Sequence, residues 1–332
     1  MRVFYVGQLY EGGTCLDRMR ALQRLGHEVI GFDLAKYQSK HRLLRSAQWR
    51  WNLRPLLGDL NQNIVSQIAA AGHVDCLWVD KGVWVFPETI YQLKRRSVAK
   101  AVHFTPDPQL LLHRSKHFIA GIPYYDSLVT TKTFEFDLYR SAGAKHVILS
   151  QQSFCPIRYA NPEPQPLFAA DVGFIGHYEK SYAKQIAAVA ELSHIWGNGW
   201  QIAALTRQIT RRAVRGSGVW GQAYVNALAS FKIGLGLLSK YIPEQHTTRS
   251  FEIPAAGTFL LAERTAEHTA FFTEGKEAEF FATPEELASK AKFYLANDAA
   301  REQIANAGRA RCYRSGYDID AVLARILTEM NL

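Results

Sequence analysis

Short apolar runs of strand length alternate along this chain with longer stretches in which apolar residues return every three or four positions. In the first half, Arg2–Val6, His27–Phe32, Asp75–Val79, Ala101–Thr105, Ser127–Thr130 and His146–Leu149 are runs of the first kind. Leu56–Ala71, Pro87–Arg96 and Lys132–Ala142 carry the helical period, as does the stretch between Gly13 and Leu25 that Gly26 closes. Strands read as near-continuous apolar runs, separated by helices, predict a parallel sheet covered on both faces. Pro156, Pro162, Pro164 and Pro166 then interrupt the pattern, because no helix or central strand tolerates prolines so dense. After them the alternation resumes. Val172–Ile175, Ile195–Trp196, Val219–Trp220, Ile233–Leu238, Thr258–Leu261 and Glu279–Phe281 read as strands. Tyr182–Leu192, a segment ending at Ala256–Gly257, Pro284–Leu295, Ala299–Arg311 and Ile319–Met330 read as helices, with Thr283 as N-cap and Pro284 in the first turn of one of them.

The predicted fold class is therefore α/β, with two doubly wound domains facing a central cleft. Residues 1–155 form the first domain, 156–170 the linker and 171–316 the second domain. Residues 317–332 form a helix expected to cross back to the first domain, because Ile319, Val322, Leu323, Ile326, Leu327 and Met330 give it one apolar face. Ligands of such sheets bind beyond the carboxyl ends of the strands.

Composition narrows the class. A chain of 332 residues, 48% hydrophobic and 21% charged, is long enough for two cores. Met1–Gly7 lacks the apolar run and cleavage site of a signal peptide, and no stretch is long and apolar enough to span a bilayer, so a cytoplasmic location is expected. Cys15, Cys76, Cys155 and Cys312 lie far apart without metal-ligand spacing and read as reduced thiols. The net charge of +9 favours anionic partners. No acid occurs between Glu191 and Glu244, where an anion-binding lobe is expected. The run from Lys36 to Arg54 holds six Lys/Arg, no acid, and Trp49 and Trp51. It reads as a solvated helix face, or as a face that touches the inner surface of a membrane. A nucleic-acid partner is not expected, and would show as steeply salt-dependent duplex binding.

Candidate chemistry sits at strand ends. Gly176, His177, Tyr178 and Lys180 follow a predicted strand, a place where a glycine admits a ligand and a helix start favours an anion. In the first half, Gly12 and Gly13 occupy the loop after the first strand, while Asp80, Lys81, His103 and Asp107 follow later strands and are candidates for the acceptor side of a cleft. His103 and Asp107 are also candidate general bases.

The segment Arg249-Ser-Phe-Glu-Ile-Pro-Ala-Ala-Gly257 is the most specific. Together with Trp196–Gly197, the Val219–Trp220–Gly221–Tyr224 step, Lys232–Leu235, Glu267–Glu277 and Pro284–Leu287, it resembles the CgeB-like (spore maturation protein) family of GT-B glycosyltransferases. The resemblance implies two Rossmann-like domains and transfer of a sugar from a nucleotide diphosphate to an unidentified acceptor. It also implies that Glu252 accepts hydrogen bonds from the donor ribose, that Arg249 contacts the diphosphate, and that Gly221 and Gly257 belong to the donor site. Glu244, seven residues before Glu252, matches the E-x7-E spacing of retaining enzymes of this fold. No cofactor or metal is expected, since the nucleotide sugar is a substrate. Two other readings stay open: a nucleotide-sugar epimerase on the same architecture, and a binding module without catalysis.

Overall fold

A computed structural model describes residues 1–332, which divide into two compact units, Met1–Gln151 with Ile319–Leu332, and Gln152–Asp318. No helix is long and apolar enough to cross a membrane. The four cysteines are buried thiols.

The first unit is built on β1 (Arg2–Gly7), β2 (Glu28–Asp33), β3 (Val74–Asp80), β4 (Val98–Thr105), β5 (Ser127–Thr130) and β6 (Val147–Leu149). All pairs are parallel, in the order β2-β1-β3-β4-β5-β6. Side chains alternate across the sheet, so one strand feeds two cores. Phe4, Val6, Leu77 and Val79 meet Leu60, Ile64, Ile90 and Leu93, from the helices Gly58–Ala71 and Pro87–Arg96. Val3, Tyr5, Cys76 and Trp78 face the other way, towards Ala21 and Leu22 of the helix Thr14–Arg24. The helix Ile319–Glu329 completes this second face, burying Ile319, Val322, Leu323, Ile326 and Leu327. Arg24 pairs with Asp320, and Lys100 Nζ donates to the Met330 carbonyl at 2.7 Å.

The second unit contains β7 (Ala170–Ile175), β8 (Ser193–Trp196), β9 (Val214–Gly216), β10 (Phe231–Gly236), β11 (Phe259–Glu263) and β12 (Glu279–Phe281), again all parallel. Their order, β12-β11-β10-β7-β8-β9, is the dinucleotide-fold order, read from its far edge. Phe174, Ile233, Leu235 and Leu261 line one core face, and Ile175, Phe231, Leu260 and Ala262 the other. Thr283 caps the helix Pro284–Ala296 by accepting from the Glu286 N–H at 3.2 Å.

Three details depart from the sequence pattern. Val219–Trp220 is not a strand: the edge strand is Val214–Gly216, and Trp220 is the exposed N-cap of the helix Gly221–Ala229. The proline-rich segment forms almost no regular structure, yet Phe154, Tyr159 and Phe168 are buried in the second unit's core, so the chain between 152 and 170 is packed. Prolines exclude helix and ladder but not burial. Finally, Asp318 and Asp320 stand in an Asp-x-Asp spacing, but the second carboxylate is engaged by Arg24 at the start of the terminal helix.

Candidate functional site

In the second sheet the chain leaves β7 towards β8 on one side, while β10 lies on the other and continues to β11. The crevice between the carboxyl ends of β7 and β10 is the topological switch point, where open α/β sheets receive their ligands. Arg249 stands there, at the start of the helix Arg249–Ala255. Its guanidinium lies 5.3 Å from the centre of the Phe174 ring, its Nη2 donates to the Leu237 carbonyl beyond β10 at 3.2 Å, and its buried Nε has no partner. Burial opposes the charge, and the neighbouring Tyr182, Tyr224, Glu244 and Glu252 more than restore it, so the side chain stays cationic.

Gly176 makes room for the ring beneath the arginine. A Cβ at this position would lie 2.8 Å from the Phe174 ring, and in ordinary contact, 3.5 Å, with Arg249 Nη1. Its N–H donates to Trp196 O at 3.0 Å and its carbonyl accepts from Trp200 Nε1 at 2.8 Å. The amide of the glycine is therefore already engaged. Tyr178 is held likewise, its N–H on Asn198 O at 2.9 Å and its ring edge-on to Trp200. His177 is exposed, with Nε2 at 3.2 Å from Glu179.

One helical turn after Arg249, Glu252 is half-buried and accepts from the Tyr224 hydroxyl at 2.9 Å. Burial raises its carboxyl pKa, against the hydrogen bond from Tyr224 and the Arg249 charge. Glu244 accepts from the Ser239 N–H at 3.2 Å, and Ser239 Oγ donates to the buried Glu179 at 3.0 Å. The structure thus gathers Gly176, Arg249, Glu252 and Glu244 through shared neighbours around the ends of β7 and β10. Tyr224, which the sequence resemblance includes, holds Glu252, and Glu179, which had no role assigned to it, holds Ser239.

Other candidates fall elsewhere. Gly257 has φ 82° and closes the carboxyl end of the helix that Arg249 opens, with its N–H on Pro254 O at 2.8 Å; it is a left-handed helix cap away from the switch point. Gly221, at φ 62°, opens the helix that carries Tyr224. Lys180 lines a separate concavity of about 590 Å³ with Lys184, Gln208, Lys240 and Tyr241. The arginines of the acid-free stretch, Arg207, Arg211, Arg212 and Arg215, are exposed around the edge strand β9.

In the first unit two candidates are corrected. His103 is fully buried, stacked 4.2 Å from Phe118, with both ring nitrogens unpartnered, and burial pushes its pKa down to about 3. It is a neutral core side chain, unable to receive a proton from a solvent-side substrate. Asp80 is also fully buried, held by Arg18 through Nε at 2.5 Å and Nη2 at 3.1 Å and by the Tyr5 hydroxyl. Both of its oxygens are engaged within the core, so the carboxylate does not face a ligand. Gly12, at φ 82°, and Gly13, whose N–H donates to Tyr10 O at 3.0 Å, form the turn that starts the helix Thr14–Arg24. Lys81 and Asp107 do come together, as an ion pair at the ends of β3 and β4. Burial would raise the Asp107 carboxyl, but the Lys81 ammonium outweighs it and lowers the pKa. The two line a pocket of about 430 Å³ with Gln8, Trp49, Arg50, Asn52, Gln109, His113 and Arg114, among others.

Comparison with known proteins agrees with this architecture. No curated protein is detectably similar to the chain. Solved structures are similar over its whole length. Anabaena HepE in complex with UDP-glucose matches with a TM-score of 0.66 and 15% identity, over 100% of this chain and 99% of that one. The sucrose-phosphate synthase of Thermosynechococcus elongatus matches with a TM-score of 0.69 and 12% identity, over 99% of each chain. An alpha-glucosyltransferase in complex with UDP and DNA gives a TM-score of 0.71 and 12% identity, over 100% of each chain. Residues 183–328 match the family model described as glycosyl transferase-like. Two parallel six-stranded sheets of these orders and a glycosyl transferase-like domain over residues 183–328 together make the chain a glycosyltransferase of the GT-B fold.

Proposed function

We propose that the protein moves a sugar from a uridine diphosphate donor, held in the unit of residues 152–318, to an acceptor hydroxyl, and that it does so without a metal. The observation that carries this reading is Arg249. It is a cation at the β7–β10 switch point, over the Phe174 ring and beside Gly176, with a buried N–H that has no protein partner. A guanidinium there suits a diphosphate, and its fixed charge stabilises the leaving group as the sugar's C–O bond breaks. Glu252, oriented by Tyr224, suits the two ribose hydroxyls, because a carboxylate accepts from both at once. Glu244, fixed through Ser239, is the residue assigned to the donor sugar, with retention of configuration. Within the fold, the Arg249–Gly257 segment favours the CgeB-like group. The choice of UDP as the nucleotide is supported by the UDP and UDP-glucose complexes of a protein of similar structure.

A thermal-shift series with UDP, GDP, dTDP and CMP tests the donor assignment, since a ligand of the native state raises the transition by mass action. Selective stabilisation by UDP is expected. Equal or absent shifts for all four would overturn it.

The helix Arg42–Trp51 supports cytoplasmic action at a membrane surface. It exposes Leu43, Leu44 and Trp51 among Arg42, Arg45 and Arg50, although Trp49 packs 4.3 Å from Trp84. Co-sedimentation with vesicles containing phosphatidylserine, compared with phosphatidylcholine alone, is the check. Equal recovery would remove this role.

A further inference from the structure

The pocket at the ends of β3 and β4 has lining groups that the donor reading does not use. From it we infer that the first unit binds an acidic sugar, a monosaccharide unit bearing a carboxylate or phosphate, as acceptor. The inference rests on the glycosyl-transfer reading for the word acceptor, but the binding site stands on its own geometry. Its volume of about 430 Å³ is that of a small-molecule site.

Two buried amides in its wall lack partners. Asn52 is 4% exposed and Gln109 1%, and the side-chain oxygen of each makes no hydrogen bond. Gln109 is oriented by its own Nε2, which donates to the Lys81 carbonyl at 2.5 Å. Asn52, at φ 48°, ends the helix Arg42–Trp51, and its carbonyl is within 2.7 Å of His117 Nε2. A buried acceptor left unmet is costly, so each oxygen still calls for a donor. Hydroxyl groups supply such donors, and several at once on a sugar ring.

Lys81 adds a second sign of a shaped site. It holds φ 62°, an uncommon conformation for a long side chain, with its N–H on Phe104 O at 2.9 Å, and this turn directs it to Asp107. The carboxylate so fixed offers further acceptor oxygens. Trp49, 43% exposed and braced by Trp84, provides an aromatic face for the C–H side of a pyranose.

The charge of the wall selects among sugars. Lys81 and Asp107 compensate each other, whereas Arg50 and Arg114, also in the lining, pair with no carboxylate. The remaining field is positive, and it favours a substituent of negative charge.

The test titrates the full-length chain with glucose, glucuronate, glucose 6-phosphate and inorganic phosphate, and in parallel with UDP. The acidic sugars are expected to bind at least about tenfold tighter than glucose, the ratio that 1.4 kcal/mol gives. In the double variant Arg50→Gln, Arg114→Gln this preference is expected to vanish. In Asn52→Gly, which keeps the backbone free to hold its left-handed conformation, both sugar classes are expected to weaken together. Equal affinity for glucose and the acids, phosphate binding as tightly as glucose 6-phosphate, a preference that survives the double variant, or no sugar binding at all would each overturn the inference. UDP affinity should be the same in every variant. Loss of UDP binding by the unaltered chain, with acidic-sugar binding intact, would refute the donor reading and leave this pocket standing.

Discussion

Replacing Arg249 with alanine separates a phosphate contact from every other contribution to donor affinity. In the free protein the side chain has a ring contact with Phe174 and one bond to Leu237 O, while its Nε is unused. A hydrogen bond to a charged group contributes about 1.5–3 kcal/mol, and a guanidinium that meets a diphosphate makes one or two. The expected loss for UDP is therefore about 1.5–6 kcal/mol, or at least roughly tenfold in Kd. Uridine, which has no phosphate, should change by less than about threefold. The loss of the ring contact costs the fold about 0.5–1 kcal/mol, too little to unfold a domain. Calorimetric titration of both ligands, with the thermal transition measured on the same samples, decides the matter. An equal loss for UDP and uridine in a folded variant would refute the phosphate assignment, and unchanged UDP affinity would remove Arg249 from the donor site.

Glu252→Gln keeps the shape but removes the acceptor-only carboxylate, and should weaken UDP and uridine alike by about 1.5–3 kcal/mol; Tyr224→Phe should give a smaller loss of the same kind, and a loss confined to UDP would contradict the ribose role. Asp80→Asn leaves Arg18 charged and buried without its partner, so chemical denaturation should show a loss of about 3–5 kcal/mol, and a variant as stable as the parent would refute the structural assignment. Ending the chain after Asp318 removes six buried apolar side chains from the first unit, at about 1.5–3 kcal/mol each; that unit should unfold, as read by proteolysis, while UDP still binds residues 152–318. His103 has its pKa lowered from 6.5 to about 3, so below 6.5 the unfolded chain binds a proton that the folded chain refuses. Its contribution is therefore complete above 6.5 and falls as the pH drops, by about 1.4 kcal/mol per unit. His103→Phe should flatten the slope of stability between pH 6.5 and 5 by that amount, and an unchanged slope would contradict it.

The sequence by itself determined the layers. Runs such as Val3–Val6 and Leu77–Val79 are buried on both sides, so their continuous apolar character forces a covered parallel sheet, and turn residues mark where each strand ends. The terminal helix was legible for a related reason: its apolar period left a face that had to be buried, and the structure supplies Val3, Tyr5 and Trp78 for it. The segment from Arg249 to Gly257 pointed to a candidate site because cation, carboxylate and glycine are local in the chain. Direction was not legible. His103 and Asp80 lie on or at the end of strands as expected, but the alternation of the pleat and the distant Arg18 and Phe118 decide that both are enclosed. Gly257 shares a motif with Arg249 yet closes the opposite end of its helix. The pocket of Trp49, Asn52, Lys81 and Gln109 joins segments far apart in sequence, none with a motif of its own. Local composition fixes which residues form an element and which face is apolar; only the packing of elements fixes which polar groups meet, which are shut away, and which are left without a partner.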